Sequence, residues 1–239
     1  GRRRFIDRSI FQVVPSYFDE MRAYQSALKH RNELLRKSSG PIDPLLMESF
    51  DEALIQRGSK VLWRRMTFLQ SFIGVVEGVF DELTRGAHTL DLTYEGIVKS
   101  AMDEQDIAER FRERLNASIA TDQRRRYTTR GPHIDDIVIT LDGHIARSHA
   151  SQGQHRAIAL ALKIAELRLA ESSLEAPPIL LLDDVSSELD ERRNAQLMEA
   201  LDVSKGQVFI TTTDRRWIRV NDDLKVFSVK EGALSASPG

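Results

Sequence analysis

Pro177-Pro178-Ile179-Leu180-Leu181-Leu182-Asp183-Asp184-Val185-Ser186-Ser187-Glu188-Leu189-Asp190 drives an apolar run straight into two adjacent carboxylates. A short run of this kind predicts a buried strand of a parallel sheet whose carboxyl end opens on a polar crevice, the place where open α/β sheets hold ligands. In metal-nucleotide chemistry the first carboxylate after such a strand orients the shell of a Mg²⁺ ion, and the next positions the attacking water. On that pattern Asp183 serves the metal and Asp184 the water. A strand whose solvated end carries two acids with no catalytic duty is the plainer alternative, and the pair by itself does not exclude it.

Upstream stands Ser151-Gln152-Gly153-Gln154-His155-Arg156, followed by Ala157, Ile158, Ala161, Leu162, Ala165 and Leu169 at helical spacing. Ser151 and Gln154 fit the capping box, in which a Ser side chain and a Gln three residues on satisfy each other's backbone donors. A helix therefore starts here. Its first amides are free, its macrodipole is positive at that end, and Gly153 places no side chain in the way of a phosphate. An ordinary capped helix that packs its Ala/Leu/Ile face is the other reading.

Together, this helix start, the strand ending in Asp183-Asp184 and the Ser186–Asp190 segment resemble, in order and spacing, the signature helix, Walker B strand and D-loop of ABC-type ATPase heads. The resemblance implies an α/β fold with a helical lobe, the C-terminal part of an ABC-type (P-loop NTPase) head. It also implies ATP and Mg²⁺ as cofactors and an ATP-dependent homodimer. In that dimer Ser151, Gln152, Gly153 and Gln154 of one protomer touch the γ-phosphate held by the other. Ser187 and Asp190 fall where the D-loop crosses the interface, although Asp190 serves equally well as the N-cap of a helix containing Arg193, Leu197 and Leu201. Thr212 and Thr213 fall at the switch position, where many such ATPases place a histidine. A hydroxyl can hydrogen-bond phosphate but carries no positive charge.

The match extends further. Arg2-Arg3-Arg4-Phe5-Ile6-Asp7-Arg8, Tyr24 with Arg31-Asn32, Gly131-Pro132-His133 with Asp135-Asp136, Ala150 to Gln154, and Gln207 to Asp214 all resemble the RecF family of bacterial recombination mediators, from Gly1 to about Val229. That likeness implies binding to gapped DNA at single-strand/double-strand junctions, cooperation with RecO and RecR, and loading of RecA. Asp184 stands where glutamate is commoner in ABC ATPases. One methylene less moves the carboxylate by roughly 1.5 Å, and a displacement on that scale can cost about a hundredfold in rate. Slow DNA-dependent hydrolysis, with ATP as a timer of dimerisation, is the corresponding expectation. An SMC-like head is an alternative, against which the short helical arm speaks, since heptads are not sustained past about Phe80. A DNA- or partner-binding module with a vestigial acidic crevice is another.

No Gly-Lys dipeptide occurs, so the Gly-x-x-x-x-Gly-Lys-[Ser/Thr] phosphate loop is absent from these residues. The family carries that loop ahead of the Arg-Arg-Arg-Phe stretch, which predicts a longer parent protein and little ATP affinity for residues 1 to 239 alone.

At 239 residues, without cysteine, the chain can bury a substantial core and forms neither disulfides nor thiolate metal sites. No apolar run approaches a membrane span, Gly1 to Arg8 is too basic for a signal peptide, and cytoplasm is the default. A net charge of -2 does not advertise a nucleic-acid binder. Local clusters do: Arg2, Arg3 and Arg4; Lys29, Arg31, Arg36 and Lys37; and Arg124, Arg125, Arg126 and Arg130. Basic faces hold phosphate backbones without reading sequence, and a solvated face paired with neighbouring acids is the alternative.

Periodicity predicts a helix from about Pro15 to Arg36, a break at Ser38-Ser39-Gly40-Pro41, and a long helix from about Asp43 to Leu83, together a hairpin arm. Gly58, Gly74 and Gly78 mark sites of kinking or close approach. Strands are expected at 89–94 and 137–141, a charged helix from Asp106 to about Arg126, strands at 179–183, 207–211 and 224–229, a helix at about 190–202, and a frayed tail from Ala233. The domain reading is 1–14 as the end of an N-terminal ATPase lobe, 15–150 as the arm and a connecting α+β lobe, and 151–239 as the signature, Walker B and D-loop α/β lobe.

Overall fold

The computed structural model describes residues 1–38, 40–99, 103–183, 194–195, 197–199, 206–213, 218 and 225–236. The chain divides into two compact units, Gly1–His155 and Arg156–Gly239. The first begins with helices α1 (Arg2–Val13), α2 (Tyr17–Lys37) and α3 (Pro44–Thr84). Helix α3 starts where Pro44 follows Asp43, whose side chain accepts the Leu45 amide. It ends where Arg85 and Gly86 both take the left-handed conformation. Its 41 residues span about 60 Å at the helical rise, and α2 packs along it as the expected hairpin.

The core gathers on one stripe of α3. Leu54, Val61, Leu62, Phe72 and Val76 are fully buried, as are Ile107, Phe111 and Leu115 of α4 (Glu104–Asn116). Each such side chain contributes about 1.5–3 kcal/mol on removal from water. Gly58 is the point of closest approach, since a Cβ there would overlap the Phe111 ring and crowd Tyr24. Gly74 and Gly78 face open space instead.

The single charged helix expected from Asp106 to about Arg126 is two, α4 and α5 (Ile119–Arg125), parted at Ala117-Ser118. The Ser118 hydroxyl donates to the Leu115 carbonyl and to Asp122. The bend turns Asp122 inward, where it is fully buried. Strands β1 (Leu90–Glu95) and β2 (Asp136–Leu141) pair antiparallel, from Leu90 opposite Leu141 to Glu95 opposite Asp136. The turn Asp142-Gly143, with φ of 51° and 78°, returns the chain as β3 (His144–Ile145). A short helix α6 (Ala146–His149) leads to α7 (Gln152–Ser173).

Two guanidinium groups are buried in this unit. Arg31, 0% exposed, lies within hydrogen-bonding reach of Asp51, Asp122 and Thr128, which removes it from the basic face expected of α2. A desolvated guanidinium demands carboxylate partners, and two meet it. Arg65 clamps Asp7 through two nitrogens and donates to the Pro132 carbonyl at 2.7 Å.

In the second unit α7 buries Ala157, Ile158, Ala161, Ile164 and Ala165. Strands β4 (Leu180–Leu182) and β5 (Val208–Ile210) pair in parallel, Leu180 beside Val208 and Leu182 beside Ile210. Ala233–Ala236 is not frayed: as β7 it pairs with β6 (Phe227–Lys230) around Glu231-Gly232, both of positive φ. Most of the helix expected at about 190–202 lies outside the described residues. Among the described residues no helix is long and apolar enough to cross a membrane.

Candidate nucleotide-binding site

The residues proposed for the site fall in both units. In the second unit the parallel register sets Asp183 beside Thr211. The Thr211 hydroxyl donates to Asp183 Oδ1 at 2.5 Å, and the Thr211 amide donates to the Leu182 carbonyl at 2.9 Å. Asp183 stays exposed at the carboxyl end of β4. A hard carboxylate oxygen at the open end of a parallel strand suits Mg²⁺, which keeps several waters and takes one or two carboxylates besides phosphate. Among the described residues no group of three or more metal-capable side chains occurs. Asp184, Ser187 and Asp190 lie outside the described residues. Thr212 and Thr213 come after Thr211 beyond the end of β5. Thr211 belongs to no motif of its own, and only laying the two apolar runs side by side, Leu180–Leu182 against Val208–Ile210, sets it against Asp183.

In the first unit the capping box forms as expected. The Ser151 amide donates to Gln154 Oε1 at 2.8 Å, and the Gln154 amide donates to Ser151 Oγ at 3.2 Å. Ser151 and Gln152 are exposed, so the first turn of α7 faces solvent with its macrodipole positive. Gln154 Nε2 lies 3.4 Å from His88 Nε2, and His88 Nδ1 lies 2.8 Å from Asp142 Oδ2.

The basic clusters differ. Arg2 pairs with Asp136, and Arg3 donates to the His133 carbonyl, while Arg4 is exposed. Arg124, Arg125 and Arg126 are all exposed around the end of α5.

The remaining family-like residues converge on a buried polar cluster that sequence reading did not foresee. Tyr24 OH lies 2.5 Å from His133 Nδ1, and His133 Nε2 lies 3.1 Å from the Thr128 carbonyl. That carbonyl can only accept, so Nε2 carries the proton and Nδ1 accepts from Tyr24. Asn32 accepts from both the amide and the hydroxyl of Thr128. Tyr94 donates to Asp135 at 2.8 Å. Burial pushes the Asp135 carboxyl up to about 6, against the opposing pull of Tyr94 and Arg65, and lowers His133. The signal was present: Tyr24, Ala27, Arg31 and Leu35 share the buried face of α2, so Arg31 occupies a core position of the helical repeat.

No protein-family model matches the chain. It is 41% identical over 224 residues to the DNA replication and repair protein RecF of Myxococcus xanthus, covering 92% of this chain and 58% of that protein. With RecF of Anaeromyxobacter dehalogenans it shares 39% identity over 240 residues, covering 98% of this chain and 63% of the relative. Over the residues it spans, the chain is similar to RecF proteins along almost its whole length. Two solved structures of the recombination mediator protein RecF in the RecFOR pathway, one with ATPrS and one with ATP, superpose with TM-scores of 0.84 at 30% and 31% identity. They cover 98% and 99% of this chain, and 62% and 63% of theirs. The fold is accordingly that of an ABC-type ATPase head with a helical lobe. The chain spans about three-fifths of the length of these RecF relatives.

Proposed function

We propose that the chain supplies the signature helix, Walker B strand and arm of a RecF-type DNA-repair ATPase in the cytoplasm. The supporting observation is the reciprocal Ser151–Gln154 capping box, which presents an exposed, positively polarised helix start in a sequence about 40% identical to RecF proteins. Gln152 and Gly153 would meet the γ-phosphate held by a second protomer, making ATP the cement of a homodimer. Asp183, oriented by Thr211, would hold Mg²⁺, which supplies positive charge against the phosphate oxygens. Asp184 would position the attacking water, Ser187 and Asp190 would line the interface, and Thr212 and Thr213 would stand near the γ-phosphate. The exposed arginines Arg4 and Arg124 to Arg126 would meet the backbone of gapped DNA. RecR, RecO and RecA are the partners this reading brings with it.

The test joins the chain to a Walker A-bearing segment of a RecF relative. ATP and Mg²⁺ should then produce a dimer in analytical ultracentrifugation. Asp184→Asn should keep that dimer while hydrolysis falls about a hundredfold or more, the usual scale for loss of a water-positioning base. Hydrolysis by Asp184→Asn at the parental rate would remove Asp184 from the role.

A further inference from the structure

The Gln154 side chain has both ends of its amide engaged. Its Oε1 accepts the Ser151 amide, so its Nε2 is the donor that faces His88 Nε2 at 3.4 Å. On the far side of the ring, His88 Nδ1 meets Asp142 Oδ2 at 2.8 Å, and the other oxygen of that carboxylate accepts the Thr89 amide at 2.8 Å. A carboxylate only accepts, so His88 carries its proton on Nδ1 and offers the Nε2 lone pair to Gln154. Asp142 is itself fixed by the Asp142-Gly143 turn, where both residues have positive φ. The resulting chain of contacts runs from a rigid hairpin turn through an imidazole to the first turn of α7.

The geometry points to His88 as a positioning residue for the signature helix, holding Gln154 as a cap so that Ser151 Oγ and the amides of Gln152 and Gly153 are what the turn presents outward. This rests on the proposed role of that turn in nucleotide binding, and it assigns Gln154 to orienting the site rather than to touching phosphate. The charged and titratable groups facing this relay are Asp142 and, acting on the same carboxylate, His144, whose ring stacks on His149 at 5.3 Å.

The experiment measures ATP-dependent dimerisation of the chain joined to the Walker A segment. His88→Ala should weaken dimerisation about three- to tenfold, the scale of one lost hydrogen bond. His88→Gln restores a neutral acceptor, so it should recover most of that loss. In the 239-residue chain itself, ¹⁵N NMR should find His88 with its proton on Nδ1, and the Gln154 side-chain amide should shift in His88→Ala and return in His88→Gln. Dimerisation by His88→Ala equal to the parent, or no recovery in His88→Gln, overturns the positioning role while leaving the proposed function intact. A parental protein that fails to dimerise with ATP overturns both.

Discussion

In the first unit charged side chains are buried together with the apolar ones. In the second, Leu181, Phe209 and Val229 remain 73%, 49% and 68% exposed on strands of three or four residues. Arg31 shows how the first arrangement works: a guanidinium stripped of water is held by Asp51 and Asp122 from two other helices. Among the described residues of the second unit, Leu181, Phe209 and Val229 stand on two-stranded ribbons, which alone add little stability. The fully buried ion pair Arg31–Asp122 thus lies in the first unit, and the candidate metal ligand Asp183 lies at an open strand end in the second.

Three substitutions in the 239-residue chain sharpen this contrast. Arg31→Leu leaves Asp51 and Asp122 buried without their cation, so urea denaturation should show a loss of about 3–5 kcal/mol. A loss under about 1 kcal/mol would mean that the carboxylates escape by protonation or by water, and that the network is not what holds the unit.

Asp135 gives a smaller, pH-dependent effect. Burial raises its folded pKa to about 6, above the ordinary aspartate value of 3.8, so the folded state binds the extra proton between those limits. Stability from this group is complete below about pH 4 and declines as pH rises to about 6, by on the order of 2–3 kcal/mol, before levelling. Asp135→Asn should remove that slope from denaturation midpoints measured between about pH 4 and pH 7.

The smallest effect is expected in the second unit. Leu181→Thr replaces an exposed leucine on β4 and should change stability by no more than about 0.5 kcal/mol. A larger loss would show that the strand's apolar face is covered in solution.

Much of this architecture was legible in the residues. The arm helices came from apolar periodicity and a Gly-Pro break. Ser151 and Gln154 bond as a capping box requires, because that pairing is set within one helical turn. Long-range pairing was harder to read. Asp122 and Arg31 look like solvated charges in composition, and only the bend at Ala117-Ser118 brings one to the other. Thr211 was missed because strand register is a relation between two segments, invisible in either alone. The strand expected at 224–229 matches β6, but β7 was missed for a different reason: its small residues disguise a strand as a tail.

Arg65 fastens α1 through Asp7, the Gly131–His133 turn through a carbonyl, and the Tyr17 and Tyr94 hydroxyls of α2 and β1 through weaker contacts. Withdrawing Arg65 strips all of these segments of the same partner at once. They are therefore expected to part in a single opening event, in which the most protected amides on each would share one rate of exchange with solvent.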